Sequence, residues 1–424
     1  MAPVPLGAGF RWLLASSWIS NLGDGIAIAA GPLLVASLTD DAFLVALAAL
    51  VQWLPPLLFG LYAGALSDRL DRRLIVVTVD VLRAVVLAVV ATSIVTGMVS
   101  IAVVLAALFL LGTAEVFADN SSQTLLPMLV RRQDLALANS RIQAGFITVN
   151  QLAGPPLGAA LFAVGVAWPF IGQAILVALG ALLIGRIALP PHPRDPARAT
   201  VISRDIAEGF RWVRHHAAVR TLVLTIFTFN ITFGAAWSVL VLYATRQLGL
   251  GEIGFGLLTT VSATGGLLGT LSYGWITRRV SLGNIMRIGL IIETLTHLGL
   301  AITTVPAVAM AIFFVFGAHA FVWGTTSVTV RQRAVPSILQ GRVGSVNTVG
   351  VFGGLVVGSG VGGLLAQRYG VTAPFWFAFV GSALFVLLIW KQLAHIAHAD
   401  EDLPGDESGH AAGDGFPSPT RERR

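Results

Sequence analysis

Gly64-Ala-Leu-Ser-Asp68-Arg69-Leu-Asp71-Arg72-Arg73 is the stretch that decides the fold. It follows an uncharged run from Phe43 to Ser67 and precedes another apolar run that begins at Leu74. Each charge between two membrane-length segments must stay out of hydrocarbon or find a partner. The stretch therefore reads as a tight, charged loop at a membrane face, with a helix entering and a helix leaving.

Composition extends that reading to the whole chain. Hydrophobic residues make up 55% and charged residues 11%, against about 25% charged in an ordinary soluble domain. Mean hydropathy is +0.82. About 20 apolar residues cross a bilayer as a helix, and continuous runs of this length exclude barrel strands. Twelve such spans are predicted, over 11–38, 42–66, 74–97, 100–126, 136–164, 167–189, 219–245, 253–276, 283–304, 306–330, 341–366 and 371–394. The chain is thus expected to be an all-α membrane protein.

Arginines set the orientation. Arg11, Arg69, Arg72, Arg73, Arg131, Arg132, Arg141, Arg278, Arg279, Arg287, Arg331, Arg333 and Arg342 fall at alternate loops or helix ends, whereas the opposite loops carry little beyond Arg246 and Arg368. By the positive-inside rule both termini are cytoplasmic. That bias accounts for the net charge of +6, so no nucleic-acid partner is called for. With no cysteine, disulfides and thiolate metal sites are excluded, and no cofactor is expected. Residues 1–10 lack a secretory signal pattern, so the first span reads as an uncleaved anchor. The excess of arginine over a single lysine, Lys391, fits a GC-rich bacterial genome.

Four segments are expected: a six-helix bundle over 1–189, a cytoplasmic linker over 190–218, a second six-helix bundle over 219–395, and a disordered cytoplasmic tail over 396–424. Prolines open the linker; Ile202, Ile206, Phe210 and Val213 then share one face of a helix that Ser203 would cap. That helix is expected to lie on the membrane surface, the alternative being a solvated linker. The halves repeat one another weakly. Gly64-x-x-x-Asp68-Arg69 aligns with Gly274-x-x-x-Arg278-Arg279, and Gly154–Leu161 aligns with Gly358–Leu365.

The spacing G-x-x-x-D-R-x-x-R-R resembles the loop 2–3 signature of the major facilitator superfamily. Gly154-Pro155-Pro156-Leu157-Gly158-Ala159 resembles the G-P-x-x-G-G motif of its drug and proton antiporters. The resemblance implies a twelve-helix carrier in the bacterial cytoplasmic membrane, of the branch with siderophore and macrolide exporters. It implies gating roles for Gly64, Asp68, Arg69, Arg72 and Arg73, latching the halves in the outward-facing state. Two departures stand out: Asp71 replaces the usual glycine, and Asn150 stands where a glycine precedes the second motif.

Ionisable residues within spans are the candidates for coupling. Asp24 lies mid-way in the first span, while Glu115 and Asp119 share a face of the fourth at i, i+4. A carboxyl moving between wet and dry surroundings binds and releases a proton, so these acids and Glu293 are candidate proton carriers; buried structural acids are the alternative. Asp80 and Arg83, at i and i+3, either join the latch network with Asp119 or form a structural ion pair. Antiporters of the resembled family often carry an arginine in the fourth span, which this chain lacks. Asn230, Trp237, His297, His319, Phe321 and Trp323 are candidates for a substrate cavity, with core packing as the alternative.

Three functions are weighed. The first is proton-coupled antiport, by alternating access, that expels a small amphipathic molecule such as a drug, as in multidrug resistance, from a monomeric carrier. The second is an importer or facilitator of the same fold. The third, a membrane-embedded transferase, needs acid, base or metal groups converging near one interface, and the scattered histidines supply none. An ATP-driven pump is excluded within the chain because no P-loop is present.

Overall fold

Uninterrupted apolar runs in lipid must satisfy their backbone polar groups internally, and among the described residues every span predicted above is built of helix, two of them interrupted. The computed structural model describes residues 6–188, 202–336 and 339–392, except the side chains of 65, 67–69 and 202–205. The tail, the first part of the linker, the Ser203 cap and the Asp68 and Arg69 side chains lie outside the described residues. The first half comprises α1 (Ala8–Leu38), α2 (Ala42–Arg69), α3 (Arg72–Val95), α4 (Ile101–Leu129), α5 (Leu135–Gly145), α6 (Gly154–Val164) and α7 (Trp168–Gly185). A linker helix, α8 (Ile202–His215), follows. The second half comprises α9 (Ala217–Trp237), α10 (Leu240–Leu242), α11 (Glu252–Thr277), α12 (Leu282–Ile302), α13 (Pro306–Ala334), α14 (Gln340–Tyr369) and α15 (Ala373–Ile389).

Among the described residues, eleven spans are long and apolar enough to cross a membrane, with Arg132–Val164 counted as one; α15, at 17 residues, is the twelfth. The fold is all-α, with twelve membrane helices in two six-helix bundles.

Two predicted spans differ from regular helices. In the fifth, Pro155 and Pro156 have no N–H to return to the preceding turn, and Phe146–Ala153 widens into a π-helix between α5 and α6. The seventh was expected to run to 245, but α9 ends at Trp237, and a break at Ser238–Val239 leads into α10 and the π-turn Tyr243–Gln247. Burial explains this break. Val239 to Ala244 are all buried, and the Tyr243 hydroxyl donates to the Leu300 carbonyl at 2.7 Å.

Within the first half, α1 packs on α6 and α7, while α3 and α2 pack on α4. Within the second, α9 packs on α14 and α15, while α11 and α12 pack on α13. The halves meet where α2 crosses α14 and where α6 crosses α11. Close backbone approach governs the equivalent crossings. A Cβ on Gly158 would stand 2.2 Å from the Ile26 carbonyl of α1, and one on its aligned counterpart Gly362 would stand 2.2 Å from the Ala235 carbonyl of α9. The segments aligned from sequence thus do the same packing in each half. Ala159, one residue past Gly158, meets Gly256 of α11 across the halves, and Gly363, one past Gly362, meets Ala46 of α2.

Helix α8 docks on the start of α14. Gly209 lies against the Arg342 backbone, Glu208 accepts from Arg342 at 2.8 Å, and Val213 is buried with Val343 and Val346. Phe210, from the same predicted apolar face, is exposed.

Candidate functional site

Positions 67–73 hold two helices apart by only two residues, since α2 ends at Arg69 and α3 begins at Arg72. Asp71 caps α3, accepting from the Arg73 and Leu74 amides at 2.9 and 3.2 Å. That is a use for a residue that departs from the resembled motif. Arg73 donates to the Ile187 carbonyl beyond α7 at 2.9 Å, and Arg72 approaches Met128 Sδ at 3.2 Å near the end of α4. Both arginines therefore brace the basic-loop end of the first half. Among the described residues, Gly64 has only Asn120 near it, at 3.9 Å from where a Cβ would stand.

Deeper in the same half, α1, α3, α4 and α5 enclose a cavity of about 940 Å³. It extends from Asp24 to exposed positions at the start of α5, such as Asn139. The cavity contains Asp24, Asp80, Arg83, Glu115 and Asp119. Arg83 sits at its centre, with a side chain only 4% exposed. Its guanidinium donates to Asp24 of α1 and, at 3.2 Å, to Asp80 one turn earlier on α3. Glu115 and Asp119, on α4, are near enough to interact electrostatically with both Arg83 and Asp24. Four carboxyls share one guanidinium.

The arginine missing from the fourth span is thus supplied beside it by the third. Asp80 and Arg83 lie inside the bundle with Asp24. Amides brace the acids and the wall from behind: Gln173 of α7 donates to Asp24 at 3.5 Å, Asn150 donates to the Asn21 carbonyl at 3.2 Å, and Gln151 donates to Asn150 at 2.7 Å. Gln173 went unremarked in the sequence, although a buried amide in an otherwise apolar span was the available signal. Gly154, Pro155 and Gly158 line no part of the described cavity. They form the seam between α1, α6 and α11 described above.

The second-half candidates do not converge with this site. Asn230 returns its amide to the Ile226 carbonyl at 2.7 Å. Trp237 stacks with Phe233 at a centroid distance of 4.4 Å, lies tilted against Phe316 at 4.6 Å, and meets His297 edge-on at 6.0 Å. No hydrogen bond or ion pair among the described residues joins Glu293 to His297. His319 packs on Phe316 at 5.4 Å and, with Trp323, lines a separate crevice between α11, α12 and α13.

At the end opposite the basic loops, the halves are tied by polar contacts. Arg246 donates to Asp40 at 2.7 Å, and Gln367 donates to Asp41 at 3.0 Å. Asp41 also caps α2 through the Phe43 amide at 2.8 Å.

Comparison with known proteins agrees with this architecture. The chain is 28% identical to the multidrug efflux pump Tap of Mycolicibacterium fortuitum, over 86% of this chain and 90% of that one. It is 26% identical to BacE of Bacillus subtilis (strain 168), named as a bacilysin exporter, over 79% and 83% of the two chains. Among solved structures, a variant of the nucleoside transporter NupG superposes with a TM-score of 0.74 at 12% identity, covering 91% of this chain and 99% of that one. A bacterial homologue of the iron transporter ferroportin, inward-facing, gives 0.71 at 18% identity, covering 91% and 98%. These likenesses show the fold. The family model described as transmembrane secretion effector matches residues 1–415, so the chain belongs to that family of major facilitator transporters, which are membrane carriers and not enzymes.

Proposed function

We propose that this chain is a secondary exporter of small amphipathic molecules, driven by protons and working by alternating access across the bacterial cytoplasmic membrane as a monomer. Both termini lie in the cytoplasm on this reading, so the polar cavity reaches toward the cytoplasmic side. The observation that carries the coupling is the charge balance of that cavity. Four carboxyls surround a single buried guanidinium, and surplus acid within a membrane must be neutralised by protons, by a cationic cargo or by water. A carrier that rocks about such a site exchanges one neutraliser for another as it moves between its two faces.

The division of labour follows from placement. Asp24, Asp80, Glu115, Asp119 and Arg83 carry the coupling, with Gln173 positioning Asp24. Gly154, Pro155 and Gly158 let α6 pivot on α1 and α11. The loop with Gly64, Asp68, Arg69, Arg72 and Arg73 latches the cytoplasmic end, and the Asp40–Arg246 and Asp41–Gln367 contacts latch the other. The names of Tap and BacE favour export over import.

The test is efflux from cells that carry or lack the gene, with and without a protonophore. Export should stop with the protonophore, and Asp24→Asn and Glu115→Gln should each reduce it to the level of cells without the gene. Normal export by both variants would sink the coupling assignment.

A further inference from the structure

The second half contains a crevice that the coupling site does not use. Helices α11 and α12 both pack on α13 but not side by side. The gap between them, about 320 Å³, has α13 as its floor. That volume is at the lower end of small-molecule sites, roughly 300–1,000 Å³. Its rim is apolar and faces outward from the bundle: Leu268, Ile288 and Val315 are each about half exposed. In a membrane that rim meets lipid. The gap runs from mid-α13 toward Ile276, Val280 and Ile285, beside the basic loop, and so opens onto the leaflet at that end.

Three polar side chains line it: Ser272 of α11 and, at its inner wall, His319 and Trp323 of α13. Among the described residues, both ring nitrogens of His319, which is 8% exposed, lack a hydrogen-bond partner, as does Trp323 Nε1. Buried polar groups without partners are costly. Both residues stand beside Gly289 of α12: a methyl there would lie 3.4 Å from His319 Nδ1 and 2.6 Å from Trp323 Cδ1. The glycine thus lets Trp323 and His319 close on α12, so that both side chains wall the crevice. Among the described residues no charged side chain lines it, so a charged ligand would find no counter-ion there.

We propose that this crevice is a binding site for an uncharged amphiphile taken from the lipid leaflet at the basic-loop end. Its hydrogen-bonding group pairs with Trp323 Nε1 and the His319 ring once these buried side chains turn from α12 toward the gap, and its apolar body lies between α11 and α12. In treating this ligand as cargo, the assignment rests on the export reading; the binding itself does not need it.

The test uses the purified full chain in de-energised phosphatidylcholine liposomes. It is labelled by photoactivation with a diazirine-bearing decanol or with the matching diazirine-bearing decane. Labelled positions are mapped by mass spectrometry. One hydrogen bond to a neutral group contributes about 1 kcal/mol, so the alcohol should exceed the alkane about fivefold on segments 285–292 and 315–323. His319→Leu and Trp323→Phe should each lower that ratio, with alkane labelling unchanged as evidence that the crevice is intact. Equal labelling by the two probes in the unsubstituted protein, which needs no variant, would overturn the proposal, as would a preference that survives both substitutions. Efflux is read separately in cells. Lost preference with normal efflux refutes this site alone, and absent efflux with preserved preference refutes the export reading alone.

Discussion

Arg83 is the residue on which the charge arrangement turns. Removing one partner of a buried ion pair leaves the other uncompensated, at a cost of about 3–5 kcal/mol. Here the loss is asymmetric. Asp24→Asn leaves Arg83 with Asp80 on the same helix, so that variant should fold and fail only in transport. Arg83→Ala strips the counter-charge from Asp24 and Asp80 together and should lose folded protein. Thermal unfolding of the two purified variants checks this: Arg83→Ala should be the less stable by about 3 kcal/mol or more. Equal stabilities would mean that the acids are neutralised without the guanidinium. The individual acids were legible in the sequence because each is an anomaly within its own span. Their convergence was not, since Asp24 and Arg83 lie 59 positions apart and only the docking of α1 on its neighbours makes them partners.

At the scale of elements, the spans were legible throughout because hydropathy dictates them; what escaped was their interruption. The break after Trp237 occurs within an apolar run, where composition carries no signal, and tertiary burial of Tyr243 decides it. The glycine repeat shows the opposite case, a pattern visible in sequence whose meaning is geometric. At Gly158, and likewise at Gly362, a Cβ would sit 2.2 Å from a carbonyl oxygen of the neighbouring helix, so Gly→Ala forces the helices apart. Each substitution should destabilise by about 1–3 kcal/mol. Gly60 of α2 has nothing within 4 Å of its Cβ position; Gly60→Ala should be neutral or stabilising by about 0.5–1 kcal/mol through helix propensity. Unfolding midpoints in one detergent compare all three. A destabilised Gly60→Ala, or an unaffected Gly158→Ala, would contradict the packing argument.

For the whole molecule, the two ends make opposing demands, and this gives a prediction in which sign matters more than size. The contacts of Arg246 with Asp40 and of Gln367 with Asp41 join the halves at the end away from the basic loops. The pair at Arg246 is exposed, and exposed pairs contribute little each, so loosening it shifts the balance by no more than several-fold. Arg246→Ala should favour the state open at that end, and a carrier that alternates must then close the cavity toward the basic loops. The latch inferred for Asp68 acts the other way: Asp68→Asn should keep the cavity accessible from the basic side. The chain has no cysteine, so Ser122→Cys, in the cavity wall, serves as a single reporter for a membrane-impermeant maleimide in inside-out vesicles. Labelling should slow with Arg246→Ala and quicken with Asp68→Asn. Substitutions at distant, independent sites combine additively, so the double variant should return toward the starting rate. If both substitutions moved the rate in one direction, the two ends would not be opposed and rocking of the halves about the polar cavity would be the wrong description of the motion.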